Sequence, residues 1–220
     1  MTDNSVERRD GPWHSAKPRL LARTLKRAFD VAFATTLLLI LAPLLLSIAG
    51  LVRVRLGSPI LFQQERPGID AKPFVLLKFR TMTLDLDTAG KLLPDEERMT
   101  GFGTRLRNLS LDELPELFNV LMGQMSVVGP RPLLMHYLPH YTPEQARRHA
   151  VKPGLTGPAV VNGRNLLTWE EKFQWDVWYV DHWSLLVDFT IIVKTISLIM
   201  SRKGITQPGR STVDYFKVEE

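Results

Sequence analysis

The sequence predicts an α+β protein that is mainly helical, with a small β-hairpin, an N-terminal re-entrant membrane helix and interfacial amphipathic helices. Three observations carry this prediction: a long apolar segment without charge, two strand-like segments around a turn, and two helical stripes of apolar residues. With 220 residues, the chain is long enough for one domain with a hydrophobic core and too short for two. We therefore expect one globular unit attached to one membrane segment.

The membrane segment is the run of residues 31–54, which carries no charge before Arg53. A helix in the core of a soluble protein is rarely apolar over such a length, so the run predicts contact with a membrane. A cleaved signal peptide is the alternative, because residues 47–49 resemble a small-residue cleavage site. The apolar run outlasts the apolar part of an ordinary signal peptide and continues through those residues, which favours a retained segment.

Two features of this segment favour a re-entrant helix. Pro43 lies in its middle, where it lacks an amide donor and clashes with the preceding turn, so we expect a membrane bend at Ala42 and Pro43. Lysine and arginine beside a membrane segment favour the cytoplasmic side, and both flanks are basic, so a helix that enters and leaves by one face satisfies both. A kinked spanning helix is the alternative. The flanking cations are Lys17, Arg19, Arg23, Lys26 and Arg27 before the run, and Arg53, Arg55 and Arg66 after it.

The next part of the chain predicts short elements. Residues 60–64 and 74–79 are strand-like and bracket a turn-rich connection, which predicts a hairpin. Residues 85–99 are polar and contain glycine and proline, which suits a surface loop or a short helix. Residues 114–122 carry a helical stripe of apolar side chains that ends near Gly123.

A second stripe, in residues 185–199, shares its helix with Asp188 and Lys194, so this helix is amphipathic. It either packs on the core or lies in the lipid interface. Tryptophan favours the membrane boundary because it has an apolar body and a polar handle, although ordinary core packing accounts for tryptophan equally well. The stripe consists of Leu185, Phe189, Ile192, Val193, Ile196 and Ile199, and the tryptophans before it are Trp169, Trp175, Trp178 and Trp183.

The amino-acid composition limits the kinds of site and partner that the protein can have. The chain has no cysteine, which excludes disulfides, thiolate zinc sites and a cysteine nucleophile and fits a reducing compartment. A net charge of +5 indicates an anionic partner, which is nucleic acid, a lipid surface or a phosphorylated substrate. Nucleic acid is disfavoured, because the cations are scattered among apolar segments and form no aromatic and basic platform.

The adjacent acids Asp112 and Glu113 have two interpretations. With Ser110 they match a capping box, in which the serine caps a helix and Glu113 closes back on it. However, Pro115 cannot donate a hydrogen bond, so the regular helix is expected to start nearer Asp112 than Ser110. At a helix N-terminus both carboxylates are stabilised in the ionised form and phosphates also bind, so the pair also suits a nucleophile or a metal ligand.

Cations and glycine turns surround this pair in the sequence. Arg131 lies between Pro130 and Pro132, which fix its backbone, and a rigid arginine fork is well suited to phosphate oxygens. Residues 153–157 and 162–165 contain glycine, which lets a backbone approach a ligand closely. The other cations near polar turns are Lys78, Arg80, Arg105 and Arg107.

Together these motifs resemble the monotopic phosphoglycosyl transferases, bacterial enzymes that start glycoconjugate assembly on undecaprenyl phosphate. The resemblance runs in order from about residue 23 to residue 205, and it is closest to the short forms that consist of the catalytic domain alone. The motifs that carry it are residues 26–30, 78–82, 110–120, 126–132, 153–157 and 162–165.

The resemblance implies roles for individual residues. Asp112 resembles the nucleophile of the family and Glu113 its partner at a magnesium ion, so both are expected metal ligands. The family's phosphate and nucleotide site corresponds here to Lys78, Arg107, Pro130, Arg131, Pro132, Arg164 and Asp176. Two departures stand out: Ala42 replaces the serine that often precedes the family's helix-breaking proline, and Val161 replaces a glutamine of close relatives.

The implied organisation is a flexible tail (1–22), a re-entrant helix-break-helix (23–57), a cytosolic catalytic domain (58–205) and a C-terminal tail (206–220). The implied reaction transfers a sugar 1-phosphate from a nucleotide sugar, expected to be a UDP sugar, to undecaprenyl phosphate at the cytoplasmic face of the bacterial inner membrane. A membrane phosphatase or pyrophosphatase with the same acids and metal is one alternative. A basic membrane tether without catalysis is the other. The sequence leaves open the sugar, the nucleoside, the oligomeric state, the role of the N-terminal tail and the glycoconjugate pathway.

The absence of native cysteine makes the re-entrant helix testable by labelling. Ala16→Cys and Ser58→Cys flank the segment, and both are expected to react with a membrane-impermeant maleimide only from the cytosolic side. Pro43→Ala is expected to shift part of the population to a spanning helix, because an uninterrupted helix of this length crosses the hydrocarbon layer. Labelling of Ser58→Cys from the opposite side would show that the segment spans.

Overall fold

A computed structural model describes residues 20–201 and residue 216. Most of the predicted N-terminal tail, and the predicted C-terminal tail except Phe216, lie outside these residues. The α-helices are α1 (Leu20–Leu56), α2 (Asp95–Arg98), α3 (Gly101–Asn108), α4 (Glu116–Leu121), α5 (Pro143–Ala146), α6 (Pro158–Val161), α7 (Trp169–His182) and α8 (Leu185–Ser201). The strands are β1 (Leu61–Pro67), β2 (Pro73–Phe79), β3 (Ser126–Val128) and β4 (Gly154–Thr156). Short 3-10 segments are Ile69–Ala71, Leu111–Glu113, Met135–His140, Arg147–Ala150 and Arg164–Leu166.

Strands β1 and β2 form the predicted hairpin, and the mainly helical α+β class is confirmed. They pair antiparallel from Leu61 with Phe79 to Pro67 with Pro73. Each strand is longer than predicted, because pairing continues up to a tight turn in which Asp70 and Ala71 have positive φ. The inner face of β2 reaches the hydrophobic core, so the hairpin is held against the helices.

Strands β3 and β4 form a second sheet, which the sequence did not predict. They pair parallel, and each is only three residues long, too short for a periodic pattern. Glycines allow a close backbone approach beside this sheet. A Cβ on Gly129 would lie 2.3 Å from the Lys152 carbonyl oxygen, and a Cβ on Gly157 would lie 2.2 Å from the Gly129 carbonyl oxygen.

Helix α1 is the long apolar helix that the sequence predicted. Its apolar stretch has a mean hydropathy of 2.5, and it is the one helix in residues 20–201 long and apolar enough to cross a membrane. The helical pattern continues through Pro43. The Ser47 hydroxyl donates to the Pro43 carbonyl oxygen (2.7 Å), and such bonds often accompany bent helices. The re-entrant break at Ala42 and Pro43 stays a prediction.

Both halves of α1 contact the globular part of the molecule. In the first half, Ala34 belongs to the main core, and the Asp30 carboxylate accepts hydrogen bonds from the Ser126 hydroxyl and the Val127 amide, both 3.0 Å. In the second half, Ile48 and Val52 pack in a separate cluster beside β2 and α3. Large apolar side chains between these contacts are exposed, and they include Leu39, Ile40 and Leu46.

Helix α8 is buried on a different side from the predicted stripe. Ile191 enters the core, and Asp188 is buried beside it. The Asp188 carboxylate accepts hydrogen bonds from Lys26 (2.6 Å), Tyr179 (2.6 Å) and Trp183 (3.1 Å). This polar network selects the buried side, because a buried carboxylate must be paired. Most of the predicted stripe is exposed, which leaves the lipid-interface interpretation as a prediction.

Helix α4 confirms the predicted helix at residues 114–122, since its C-cap is Met122 and Gly123 follows with φ of 79°. Asn119 on this helix is fully buried. Its side chain accepts a hydrogen bond from the Leu77 amide (3.0 Å) and donates to the Val75 carbonyl (2.6 Å). Asn119 therefore fastens the hairpin to α4. Residues 85–99 contain both alternatives that the sequence left open, turns and the short helix α2.

The contact between α3 and the end of β2 makes a prediction about stability. A Cβ on Gly103 would lie 1.8 Å from the Thr81 carbonyl oxygen. Gly103→Ala therefore forces α3 away from the hairpin, and we expect a loss of about 1–3 kcal/mol in the free energy of unfolding. Gly101→Ala is the matched control, because a Cβ at Gly101 meets nothing within 4 Å. Thermal unfolding of both variants in detergent measures the difference, and equal melting temperatures would contradict the clash.

Candidate active site

The two adjacent acids lie in a turn between α3 and α4. Leu111–Glu113 is a 3-10 turn, and Ser110 before it has a left-handed backbone with φ of 54°. The Ser110 side chain makes no capping hydrogen bond, and its hydroxyl accepts one from Arg164 (3.2 Å). The capping-box interpretation is therefore wrong, because the left-handed residue turns the serine away from the helix start. Regular helix begins only after Pro115.

The Glu113 carboxylate lies between two cations. Lys78 on β2 contacts its Oε1 at 2.6 Å, and the guanidinium of Arg131 donates to both carboxylate oxygens. Burial acts to raise the pKa of Glu113, but Arg131 and Lys78 outweigh it and hold that pKa well below its ordinary value. Glu113 is thus ionised at neutral pH, and it fixes the positions of both cations.

The Asp112 carboxyl group is buried and differs from its neighbour. Burial, followed by the charge of Glu113, raises the pKa of Asp112, while Lys78 and Arg107 act in the opposite direction. The expectation that a helix N-terminus favours the ionised form therefore fails for Asp112, because desolvation is the larger effect. Within residues 20–201, no side chain donates a hydrogen bond to its carboxylate, so Asp112 is not held in a salt bridge.

Glu116 is a charged residue of this site that the sequence did not single out. It is buried on the first turn of α4, and Lys78 contacts its carboxylate at 3.2 Å. Burial is the main reason that the pKa of Glu116 rises to about 7. The spacing could have revealed it, because residues three or four apart on a helix share one face, and Glu116 follows Glu113 by three.

The Asp176 carboxylate is connected to the acid pair indirectly, through Arg148 and Arg131. On α7 it is buried and pairs with Arg148, whose Nε and Nη2 donate to it at 3.0 and 2.7 Å. Burial raises the pKa of Asp176, and Arg148 opposes this rise. Arg148 also donates to the carbonyl oxygen of Arg131 (2.7 Å). The pair therefore holds the backbone that presents Arg131. The sequence did not point to Arg148, because it stands in an ordinary run of basic residues.

The other predicted cations have different surroundings. Arg107 is exposed on α3, and its Nε donates to the Thr81 hydroxyl (2.9 Å). Arg80 points away from the acids, because its guanidinium donates to the Leu56 and Gly57 carbonyls at the end of α1. Pro130 and Pro132 are buried on either side of Arg131, and Arg66 on β1 donates to the Pro132 carbonyl (3.3 Å).

A cleft of about 280 Å³ opens beside Arg131. Of the predicted site residues it includes Arg131, Arg164 and Asp176. Lys78 and the two acids do not line it, but Arg131 contacts Glu113 and Arg164 contacts Ser110. The acid pair is therefore at the edge of a cationic cleft. The remaining lining residues are Leu133, Arg148, Ala159, Val160, Asn165, Trp169 and Lys172.

Asp112 and Glu113 are ligands of the type that magnesium prefers, but the described residues do not surround an ion with further protein ligands. Among the described residues there is no group of three or more His, Cys, Asp and Glu side chains able to hold a metal ion. Asp112 and Glu113 supply two adjacent carboxylates next to a cleft that suits phosphates. Magnesium commonly takes one or two carboxylates, substrate phosphate oxygens and water. Magnesium binding at this pair stays a prediction, and Glu113 would have to give up a contact with Lys78 or Arg131 to join the shell of the ion.

Comparison with known proteins identifies the family. The chain matches the bacterial sugar transferases over residues 21–202. It therefore belongs to this family and is a transferase, which confirms the resemblance to the short phosphoglycosyl transferases. It is 53% identical over 192 residues to the sugar transferase EpsL of Bacillus subtilis, an alignment that covers 87% of this chain and 95% of EpsL.

Two longer relatives carry more specific names. A UDP-glucose:undecaprenyl-phosphate glucose-1-phosphate transferase of Xanthomonas campestris is 40% identical over 185 residues, which are 79% of this chain and 38% of that protein. A UDP-galactose-lipid carrier transferase of Erwinia amylovora is 37% identical over 200 residues, 83% of this chain and 42% of that protein. The similarity to each covers less than half of the longer protein.

The raised pKa of Glu116 predicts a pH dependence of stability. Between about pH 4.5 and pH 7, folded Glu116 keeps a proton that the unfolded chain has lost, so stability falls as pH rises through this window. Glu116→Gln is neutral throughout. We therefore expect the difference in melting temperature, Glu116→Gln minus wild type, to increase by on the order of 5 °C between pH 5 and pH 8. Glu96→Gln, at an exposed position of α2, is the control, and a constant difference for Glu116→Gln would refute the prediction.

Proposed function

We propose that this transferase moves a sugar 1-phosphate from a UDP sugar to undecaprenyl phosphate at the cytoplasmic face of the inner membrane. The single observation that carries the proposal is the acid pair at the edge of the cationic cleft, with Glu113 clamped by Lys78 and Arg131. The names of the relatives support it, since they specify a UDP-sugar donor and an undecaprenyl phosphate or lipid carrier acceptor. The relatives differ in sugar, so the sugar of this chain stays open.

Charge is the obstacle that the site must overcome. A carboxylate that attacks a diphosphate meets repulsion between anions, and preorganised cations offset it. Arg131 and Arg164 line the cleft, and Lys78 contacts Glu113. When bound at Asp112 and Glu113, a magnesium ion would further neutralise the diphosphate. The clamped Glu113 keeps Arg131 in a fixed direction, so little reorganisation is required when the donor binds.

Asp112 is the proposed nucleophile, because it lies beside the clamp without a salt bridge of its own. Its carboxylate oxygen forms a bond to the sugar-bearing phosphorus, and the bond from that phosphorus to the nucleoside monophosphate oxygen breaks. UMP leaves, and the sugar phosphate remains on Asp112 as a mixed anhydride. An oxygen of undecaprenyl phosphate then attacks the same phosphorus and expels the carboxylate. Two displacements thus produce the polyprenyl-diphosphate-linked sugar that initiates glycoconjugate assembly.

Helix α1 supports a location at the membrane surface. Its exposed apolar side chains suit lipid, while both of its halves contact the globular part that carries the acids. A monotopic arrangement would hold Asp112 at the depth of the lipid headgroups. There, the phosphate of the polyprenyl carrier and a water-soluble nucleotide sugar both reach it.

The covalent step predicts a burst. With UDP sugar and magnesium but without lipid acceptor, the enzyme is expected to release at most about one equivalent of UMP and then stall. Mass spectrometry of the quenched protein is expected to find the phosphosugar on Asp112. Asp112→Asn should remain folded and show neither burst nor adduct. Excess chelator should abolish the burst, and full activity in its presence would exclude the metal.

The other outcomes separate the competing mechanisms. Continuous phosphate release without acceptor would indicate a phosphatase. UMP release that strictly requires undecaprenyl phosphate would indicate direct transfer without a covalent step. An adduct on a different residue would reassign the nucleophile, and turnover that survives Asp112→Asn would leave the acids a structural role only.

A further inference from the structure

Phe216 is the one described residue of the C-terminal tail, and it sits among four aromatic rings. We call these rings the aromatic cage. The Phe216 ring centroid lies 5.4–5.5 Å from those of Phe173, Tyr137 and Trp169, in edge-to-face arrangements. The Tyr141 centroid is 6.2 Å away, and the Phe216 amide donates to the Tyr137 hydroxyl (3.3 Å). Such edge-to-face contacts are specific in geometry as well as apolar.

The aromatic cage joins the two walls of the cleft beside Arg131. Tyr137 belongs to the 3-10 segment Met135–His140, which directly follows the wall residues Arg131 and Leu133. Trp169 and Phe173 belong to α7, which supplies the lining residues Trp169, Lys172 and Asp176 as a second wall. Phe216 contacts rings from both sides at once. Without Phe216, the direct ring contacts of Tyr137 with Trp169 (5.8 Å) and of Tyr141 with Phe173 (5.3 Å) would remain, so the two walls would keep fewer contacts with each other.

The cage also leads to the guanidinium that holds Arg131. Arg148 lies over the Phe173 ring, 5.7 Å from its centroid, and donates to the carbonyl oxygen of Arg131 (2.7 Å). A displacement of the Phe173 ring would therefore disturb Arg148, and through it the backbone of Arg131. Trp169 belongs both to the cage and to the cleft lining. The aromatic cage is thus connected to the cleft twice, directly through Trp169 and indirectly through the contact of Phe173 with Arg148.

We propose that Phe216 is a positioning residue for the nucleotide-sugar donor: through its ring contacts with both chain segments, Phe216 sets the spacing of the two cleft walls. This rests on the proposed function, in which the cleft takes the donor. Phe216 lies beyond the residues 21–202 that match the family. The nucleoside diphosphate part of the donor is the portion that depends on it, because Arg131 belongs to one wall and Arg164 also lines the cleft. The lipid acceptor is not expected to depend on it.

A binding experiment tests this without turnover. UDP is titrated calorimetrically into the full chain, into Phe216→Ala and into Phe216→Tyr, with magnesium present. We expect the Kd of Phe216→Ala to rise about tenfold and Phe216→Tyr to stay within about twofold of the wild type, because tyrosine keeps the ring. Val218→Ala is the matched control in the same tail. Unchanged UDP affinity in Phe216→Ala would overturn the proposal.

A kinetic experiment separates positioning from general destabilisation. In full turnover well below the melting temperature, Phe216→Ala is expected to raise the KM for the UDP sugar about tenfold, while kcat and the KM for undecaprenyl phosphate stay within about twofold of the wild type. A parallel fall of melting temperature and kcat with unchanged donor KM would show a merely structural role and overturn the proposal. If the wild type fails to turn over, the proposed function fails, and the UDP titration still decides the role of Phe216.

Discussion

The ionised Glu113 carboxylate is the interaction on which the site depends. The interaction joins three parts of the chain: the hairpin supplies Lys78, the turn before α4 supplies Glu113 itself, and the loop after β3 supplies Arg131. Removal of either cation would leave a poorly solvated carboxylate partly unpaired, which is costly in a protein interior. One carboxylate therefore fixes two cations beside Asp112, and the loss of hydration is offset by two charge-assisted contacts.

The position of Arg131 depends in turn on close backbone packing. A Cβ on Gly129 or Gly157 would lie too close to neighbouring backbone atoms. The close approach of backbones beside the short parallel sheet places Arg131 at the cleft. Arg148 then holds the Arg131 carbonyl and is itself neutralised by buried Asp176. Burial of this pair costs desolvation energy, which the two hydrogen bonds to Asp176 Oδ2 offset only in part, because Oδ1 is buried without a hydrogen-bond partner among the described residues. The result is an arginine whose backbone is rigid while its side chain remains able to meet a ligand.

The same arrangement connects the apolar helix with the chemistry. Asp30 on α1 bonds to the start of β3, and the end of β3 leads to Arg131. Ile48 and Val52, beyond Pro43, pack in the cluster that contains Phe79, the neighbour of Lys78 on β2. Both halves of α1 therefore support elements that hold the cations of the site. A helix that only anchored the protein would not require such contacts on both sides of its proline.

The sequence by itself determined the long apolar helix, the hairpin, helix α4 and the family, because these depend on local periodicity, turn residues and ordered motifs. Only the tertiary structure decided that Ser110 is no cap, that Asp188 marks the buried side of α8, and that Arg148 and Glu116 join the site. It also brought Phe216 to the aromatic cage. These features arise from contacts between residues far apart in the chain and from desolvation, neither of which has a local pattern in the sequence.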